Sequence, residues 1–234
     1  MLAVVTGGDR GIGKAIAKML AKEGYKVIFT YRSREKEARK TLEELKKYGN
    51  VECYKMDVSN WDEVKNIFHE IGEGIHVLVN NAGIVGMHTS LDSITIEDWK
   101  RVIDVNLTGA FYCCKASFPY LKKAKGCIIN ISSIAGKMGG TLGVHYASSK
   151  AGIIGLTFAL ASELAEYGIR VNAIAPGPVD TELLDKDTKE KLKELSPLKR
   201  IAKPEEIAHA VKFLIENEYI TGEVIDVNGG RYMD

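Results

Sequence analysis

A tyrosine and a lysine stand four residues apart in the stretch VHYASSKAG, as Tyr146 and Lys150. Four residues is just over one helical turn, so on a helix the two side chains share a face. The small residues around them would let a ligand or another backbone come close. The pair has two interpretations, ordinary helix side chains or the acid/base of an enzyme, and other motifs of the chain must distinguish them.

A glycine-rich segment, TGGDRGIG at residues 6–13, follows an apolar run and opens a helical pattern. Gly7 suits a tight exit from a strand, and the missing Cβ of Gly11 would let backbone approach a pyrophosphate. Gly13 would let the helix pack close to the sheet, and the helix N-terminus offers free N–H groups to phosphates. The segment therefore predicts a dinucleotide site; the alternative is a glycine-rich turn without a ligand.

The end of the second predicted strand refines the cofactor. An acidic residue there would bind the ribose hydroxyls of NAD, but the sequence continues with Arg32 and Arg34. Arg10 of the glycine turn reaches the same region, and guanidinium groups suit a 2′-phosphate. NADP(H) is therefore the predicted cofactor, although Asp9 favours NAD(H) weakly and the two strand-end arginines also fit a solvated helix start.

Apolar, β-branched runs alternate with amphipathic stretches along the chain. Seven candidate strands are recognised: LAVVT, KVIFTY, VECYKM, HVLVNN, GCIINIS, IRVNAIA and EVIDVNG. Near-continuous apolar strands separated by helices indicate a parallel sheet covered on both faces. We predict a Rossmann-like, doubly wound α/β fold of about seven strands, forming a single domain over residues 1–234.

The segments that follow the first, fourth, fifth and sixth strands are rich in glycine, proline and small polar residues. They read TGGDRGIG, NNAG, SSIAG and PGPVDT. In doubly wound sheets ligands bind at the carboxyl ends of the strands. The sequence therefore places the predicted ligand site on this one edge.

Composition excludes several classes of function. The 234 residues carry a formal net charge of +1, so nothing favours nucleic-acid binding. No apolar run approaches the ~20 residues of a membrane span, and no signal peptide is visible, so a cytoplasmic protein is expected. The four cysteines form neither a C-x-x-C motif nor a histidine-supported cluster, so we expect three of them to be small core residues and neither a zinc site nor a disulfide framework.

Together these motifs resemble the short-chain dehydrogenase/reductase family over essentially the whole chain. The resemblance rests on TGGDRGIG, Asp57-Val58, NNAG, Asn106 in DVNLTG, Ser133 in NISSIAG, the Tyr146–Lys150 pair and APGPVDT, in that order. Within the family the chain looks most similar to 3-oxoacyl-(acyl-carrier-protein) reductases, for instance in YITGEVIDVNGGRYM. Sugar and small-alcohol dehydrogenases are the alternative, followed by a non-catalytic nucleotide-binding module and by the longer epimerase and dehydratase branch.

The resemblance implies a set of site residues. The catalytic residues would be Asn106, Ser133, Tyr146 and Lys150. The cofactor would be bound by Gly7, Asp9, Arg10, Gly11, Ile12, Gly13, Arg32, Asp57, Val58, Asn81, Ala82, Gly83, Tyr146, Lys150, Pro176, Gly177, Val179 and Thr181. It also implies a homotetramer, or a homodimer, with contacts through the long helices near residues 100–120 and 146–167.

In this interpretation Tyr146 is the acid/base for a carbonyl that accepts hydride from the cofactor. We expect Lys150 to lower the pKa of the Tyr146 phenol and Ser133 to donate a hydrogen bond to the substrate oxygen. The resemblance further implies that Lys150 binds the nicotinamide ribose and that Asn106 holds a water beside Lys150. His145 would point to another helix face, so we expect a structural or substrate-lining role.

The substrate itself is less defined by the sequence. Acyl carrier protein is a candidate partner, but Ala124 and Tyr167 stand near positions where such reductases often carry arginine, with lysines nearby. The loop NAGIVGMHTSLDSI also departs from the pattern of those reductases. A segment around 181–200 has the pattern of an amphipathic lid, or alternatively of a plain surface helix. Its apolar members are Leu183, Leu184, Leu192, Leu195 and Leu198.

Overall fold

A computed structural model describes residues 1–140, 142–182 and 186–233. In that part of the chain seven parallel strands form one sheet in the order β3-β2-β1-β4-β5-β6-β7. The strands are β1 (Leu2–Val5), β2 (Lys26–Tyr31), β3 (Val51–Lys55), β4 (Val77–Asn80), β5 (Cys127–Ile131), β6 (Arg170–Pro176) and β7 (Val224–Val227). The predicted doubly wound parallel sheet is confirmed.

Helices cover both faces of the sheet. They are α1 (Gly11–Lys22), α2 (Glu35–Leu45), α3 (Trp61–Ile71), α4 (Ile96–Ile103), α5 (Gly109–Ala124), α6 (Ala135–Met138), α7 (Val144–Leu164), α8 (Lys186–Glu194) and α9 (Pro204–Glu216). Side chains alternate across each strand, so Ala3 and Val5 join the core beneath α1, α2 and α9, whereas Leu2 and Val4 join the core beneath α3, α5 and α7. This two-sided burial explains the near-continuous apolar strands.

The strand order reverses between β1 and β4. Val5 of β1 lies beside Phe29 of β2 on one side and beside Val79 of β4 on the other. The connections from β1 and β4 therefore leave in opposite directions, and a crevice opens at the carboxyl ends of these strands. The glycine turn and the NNAG segment meet at this crevice.

The long helical region from Ile96 to Ala124 is interrupted. A π-helical turn, Asp104–Thr108, separates α4 from α5. Asn106 lies within it, and its side chain bonds the main chain of Ile84. A local π-bulge inside an α-helix is a recognised way to reorient one side chain, and hydrophobic periodicity does not predict it.

Three of the four cysteines are buried, and all are free thiols; Cys53 is half-buried. Burial raises the pKa of Cys114 to about 12 and that of Cys127 to about 11, so both thiols stay protonated. Within the described ranges no group of three or more metal-ligating side chains comes together. No helix in the same ranges is long and apolar enough to cross a membrane.

Candidate active site

A cleft of about 570 Å³ lies over the carboxyl ends of the central strands. Its lining includes every site residue predicted from the sequence except Asn106. The lining also contains Leu192 of the predicted lid and residues that the sequence did not single out, among them Thr30, Met138, Leu142, Thr188 and Arg231. The structure thus brings the predicted residues together, while their individual roles stay predictions.

The glycine turn between β1 and α1 needs glycine at positions 7, 8, 11 and 13; a Cβ on Gly8 would lie 2.5 Å from Phe29 Cβ. Gly7 and Gly11 adopt left-handed backbone conformations, with φ of 63° and 53°. A Cβ on Gly13 would lie 2.2 Å from the Gly7 carbonyl oxygen and 2.5 Å from Asn81 Nδ2. The close packing that was predicted against the sheet is thus made by Gly13 with the turn itself and with the segment after β4.

The NNAG segment after β4 is hydrogen-bonded to the glycine turn across the crevice. Asn81 Nδ2 donates to the carbonyl oxygens of Thr6 and Gly7, at 3.0 and 2.9 Å. Thr6 Oγ1 accepts from the backbone N–H groups of Asn81 and Ala82, each at 3.0 Å. The Asn81 side chain is thus occupied in holding the turn, and Thr6 is a site residue that sequence reasoning missed; its signal was a polar residue ending an apolar strand.

The N-terminus of α1 presents its N–H groups to the cleft. Arg10 precedes the helix in an extended conformation and makes no side-chain cap, and the first turn carries no acidic residue. Among the described residues, these N–H groups receive no capping side chain. Free N–H groups and the positive end of a helix form an anion-binding site.

Asp57 lines the cleft after β3, but its carboxylate is bound within the protein. Oδ1 accepts from the Ser59 backbone N–H and hydroxyl, at 3.0 and 2.6 Å, and Oδ2 pairs with Arg101 Nη2 at 3.1 Å. Burial acts to raise the pKa of Asp57, but these partners outweigh it and lower the pKa. Asp57 is therefore ionised, and it shapes the edge of the cleft next to Val58.

The chemistry-bearing side chains lie on α7 and at the end of β5. Lys150 is buried, and its Nζ donates to the Ile131 carbonyl oxygen at 2.8 Å. The same Nζ lies 5.8 Å from the centre of the Tyr146 ring, and Ser133 hydrogen-bonds the Tyr146 side chain. Ser132, which the sequence did not single out, donates its hydroxyl to the Lys150 carbonyl oxygen at 2.8 Å. Strand β5 thus fixes the helix turn that carries Lys150.

The expectation that Lys150 lowers the pKa of Tyr146 is wrong. Burial raises the pKa of Tyr146, and the hydrogen bond with Ser133 offsets this only in part. Burial also lowers the pKa of Lys150 to about 8. Desolvation is the largest cause of both shifts, and the ammonium group donates to the Ile131 carbonyl oxygen. At neutral pH the phenol is protonated and the lysine is charged.

Asn106 lies outside the cleft, directly behind Gly83. Its Nδ2 donates to the Ile84 carbonyl oxygen at 2.8 Å and to Ser149 Oγ at 3.0 Å, and its Oδ1 accepts from the Ile84 N–H at 2.8 Å. A Cβ on Gly83 would lie 3.3 Å from Asn106 Oδ1 and 3.6 Å from Lys150 Nζ. Asn106 therefore ties the segment after β4 to α7, and its predicted water-holding role stays a prediction.

His145 has a structural role, which is one of the two roles expected for it. It is fully buried; its Nδ1 accepts the Tyr146 backbone N–H at 2.7 Å, and its Nε2 lies 3.2 Å from Asp98 Oδ2. Because Nδ1 accepts, the Nε2 proton is directed to Asp98. A Cβ on Gly86 or Gly143 would lie 2.4 or 2.6 Å from the imidazole, so glycine is required on both sides.

Replacing this imidazole should destabilise the fold. We expect His145→Ala to lower the free energy of unfolding by about 2–4 kcal/mol, because it leaves a cavity and removes the partner of a buried N–H. Urea denaturation monitored by circular dichroism measures the change. His88→Ala is the matched control, since His88 is exposed in the adjoining loop. A loss of less than about 0.5 kcal/mol for His145→Ala would contradict this interpretation.

The predicted lid lies partly outside the described residues. Leu183 and Leu184 fall among the residues that are not described, whereas α8 places Thr188 and Leu192 against the cleft. Leu195 and Leu198 are exposed. A covering function for 181–200 therefore stays a prediction, now centred on Leu192.

Comparison with known proteins agrees with the fold. A family model described as enoyl-(acyl carrier protein) reductase matches residues 7–231. The 3-oxoacyl-[acyl-carrier-protein] reductase of Staphylococcus epidermidis is 43% identical, over 99% of this chain and 98% of the relative. The reductase of the same name from Aquifex aeolicus is also 43% identical, over 99% of this chain and 97% of the relative.

Solved structures of reductases with the same name have a similar fold. The crystal structure of a 3-oxoacyl-[acyl-carrier protein] reductase from Brucella melitensis superposes with a TM-score of 0.92 at 35% identity, covering 99% of this chain and 91% of that chain. Another B. melitensis structure of such a reductase, with bound NAD, has a TM-score of 0.92 at 36% identity, with the same coverage of 99% and 91%.

Proposed function

Because the chain belongs to the short-chain dehydrogenase/reductase family, we propose that it is an NADP(H)-dependent reductase of 3-oxoacyl thioesters. One observation carries the proposal: Ser133, Tyr146 and Lys150 meet in the cleft that also contains the glycine turn. The full-length relatives named 3-oxoacyl-[acyl-carrier-protein] reductase support the choice of substrate class.

In the proposed reaction a hydride adds to the ketone carbon and a proton adds to its oxygen, so the ketone becomes a secondary alcohol. A bound nicotinamide dinucleotide supplies the hydride. Tyr146 supplies the proton, since its raised pKa keeps the phenol protonated at neutral pH. Ser133 lies within hydrogen-bonding reach of the same hydroxyl and donates to the substrate oxygen as negative charge develops there. Lys150 provides a positive charge beside the phenolate that remains.

The residues present fit a dinucleotide. The turn with left-handed Gly7 and Gly11 leads into an α1 N-terminus without a capping side chain, which suits a pyrophosphate. Arg10, Arg32 and Arg34 line the same cleft at the end of β2, where a 2′-phosphate would be bound. These cations support NADP(H) over NAD(H).

We further propose that acyl carrier protein presents the thioester and that the active form is a homotetramer. Lys122 and Lys123 at the end of α5 would meet an acidic carrier, with Lys122 Nζ stacked 4.2 Å from the Tyr167 ring centre. Phe111 on α5 and Phe158 on α7 are exposed and would be covered by neighbouring subunits.

Oxidation of sugars or small alcohols is the second candidate function. It is favoured by the aromatic Tyr167, which stands where related reductases often carry arginine.

Steady-state kinetics with several substrates tests this function. We expect kcat/KM at least about tenfold higher with NADPH than with NADH, because charge-assisted bonds to a phosphate contribute about 1.5–3 kcal/mol. Among 3-oxoacyl thioesters, simple ketones and sugars, the thioesters should be reduced fastest, as read by the loss of NADPH absorbance. A preference for NADH would reject the cofactor assignment, and faster turnover of sugars would reject the substrate class.

A further inference from the structure

One carboxylate oxygen lies between two of the three guanidinium groups that line the cleft near the end of β2. Glu182 Oε2 is 3.7 Å from Arg10 Nη1 and 3.6 Å from Arg34 Nη1. Arg10 comes from the glycine turn, Arg34 precedes α2, and Glu182 follows β6, so three separate connections converge on this oxygen. All three residues line the cleft.

This arrangement places an anionic oxygen between two cations. Two guanidinium groups that converge on a single oxygen provide the charge and the donors that a phosphate oxygen needs. The Glu182 carboxylate thus occupies the position of an anionic ligand. Any phosphate that enters between Arg10 and Arg34 must displace it.

The ion pairs are weak enough to be displaced. Both distances are long, and the side chains of Arg34 and Glu182 are 48% and 72% exposed. Exposed pairs of this kind contribute little free energy because water screens them. A phosphate monoester carries up to two charges and three acceptor oxygens, so it competes well against a single carboxylate.

A second carboxylate lies close to the same cations. Asp9 is adjacent to Arg10, and burial raises its pKa whereas the charges of Arg10 and Arg34 lower it. Asp9 is fixed in the turn, where Thr41 Oγ1 donates to its backbone carbonyl oxygen at 2.7 Å. Glu182 is the more exposed of the two and follows the sheet in a surface connection, so it is the carboxylate that can leave.

We propose that Glu182 is a specificity-determining residue whose carboxylate competes with the 2′-phosphate of NADP(H) for Arg10 and Arg34. The inference rests on the cofactor proposed above. The competition weakens NADP(H) binding selectively, because NAD(H) has a hydroxyl at that position and does not need the two guanidinium groups. Cofactor preference is thereby a balance between the arginine pair and this carboxylate.

The competition also links the cofactor to the segment before α8. Thr181, next to Glu182, lies against the glycine turn: a Cβ on Gly11 would be 3.3 Å from Thr181 Cγ2. Binding of the 2′-phosphate would therefore release Glu182 next to Thr181, which contacts the glycine turn. NADP(H) should break the ion pairs of Glu182 with Arg10 and Arg34, whereas NAD(H) should leave them in place.

Equilibrium dissociation constants of NADPH and NADH for the full chain test the inference. For Glu182→Gln we expect the Kd of NADPH to fall about 3- to 10-fold and the Kd of NADH to change less than about twofold. The matched control is Glu216→Gln, which removes the same charge from α9, where Glu216 pairs with Lys212 at 3.6 Å. The control should change neither Kd.

An unchanged NADPH Kd in Glu182→Gln, or an equal tightening of NADH, would overturn the role of Glu182. The ratio of the two wild-type dissociation constants tests a different statement. Tighter NADH binding by the wild type would reject the proposed cofactor, and a selective NADPH gain in Glu182→Gln would still support the competition. Failure of the role of Glu182 and failure of the proposed cofactor therefore give different results.

Discussion

Tyr146→Phe is expected to lower kcat about 1000-fold while the Kd of NADPH stays within about twofold of the wild type. The substitution removes a hydroxyl whose pKa is raised by burial and which hydrogen-bonds Ser133. General acid catalysis by a positioned side chain contributes about 10²- to 10⁴-fold, and loss of the acid leaves only orientation and polarisation. The ring remains, so packing against the cleft is preserved.

The measurement pairs turnover of a 3-oxoacyl thioester with fluorescence titration of NADPH. Tyr219→Phe serves as the control. It removes the same hydroxyl oxygen from a side chain that is 99% exposed. Ser133→Ala should also slow turnover, by about 10- to 1000-fold, through loss of the donor to the substrate oxygen. If Tyr146→Phe retains more than about a tenth of the wild-type kcat, Tyr146 is not the acid.

The fold was predictable because its determinants are local in the sequence. Apolar runs such as LAVVT and KVIFTY are buried on both faces in the structure, as a parallel sheet requires. The glycine turn was predictable for the same reason, since the need for glycine at residues 7, 11 and 13 follows from one strand–turn–helix unit. The family assignment is confirmed, whereas the roles of the site residues stay predictions.

Interactions between distant segments were not predictable. The contact of His145 with Asp98 joins residues 47 positions apart, and Asp98 belongs to no motif. The π-helical turn around Asn106 depends on bonds to Ile84, which a helical periodicity does not encode. The convergence of Arg10 and Arg34 on Glu182 likewise appears only once three connections are placed in space.

Electrostatic environment was the other unpredictable quantity. Sequence spacing alone suggested that Lys150, one turn from Tyr146, would lower the pKa of the phenol. The structure instead buries the ammonium group against the Ile131 carbonyl oxygen, and desolvation then dominates both pKa values. The sign of a pKa shift depends on burial, which the i, i+4 spacing does not contain.

Lys150→Met should lower kcat/KM for ketone reduction about 100-fold at pH 7 and should remove the alkaline limb of the pH profile. Burial lowers the pKa of Lys150 to about 8, so the side chain is charged below that pH and neutral above it. The pKa of Tyr146 is raised above its ordinary value, so Lys150 loses its proton first as pH rises. The wild-type kcat/KM should therefore be constant near pH 6–7 and fall above about pH 8.

A pH profile of kcat/KM reports ionisations of the free enzyme, which makes it the direct measurement. Methionine approximates the length of the lysine stem without its charge, so the helix packing around residue 150 is kept. Lys115→Met, at an exposed position of α5, controls for loss of a lysine elsewhere and should keep the inflection near pH 8. If the inflection persists in Lys150→Met, another group carries the ionisation. If the wild-type rate instead rises through pH 8, the reaction needs the neutral amine, and the charge assigned to Lys150 is wrong.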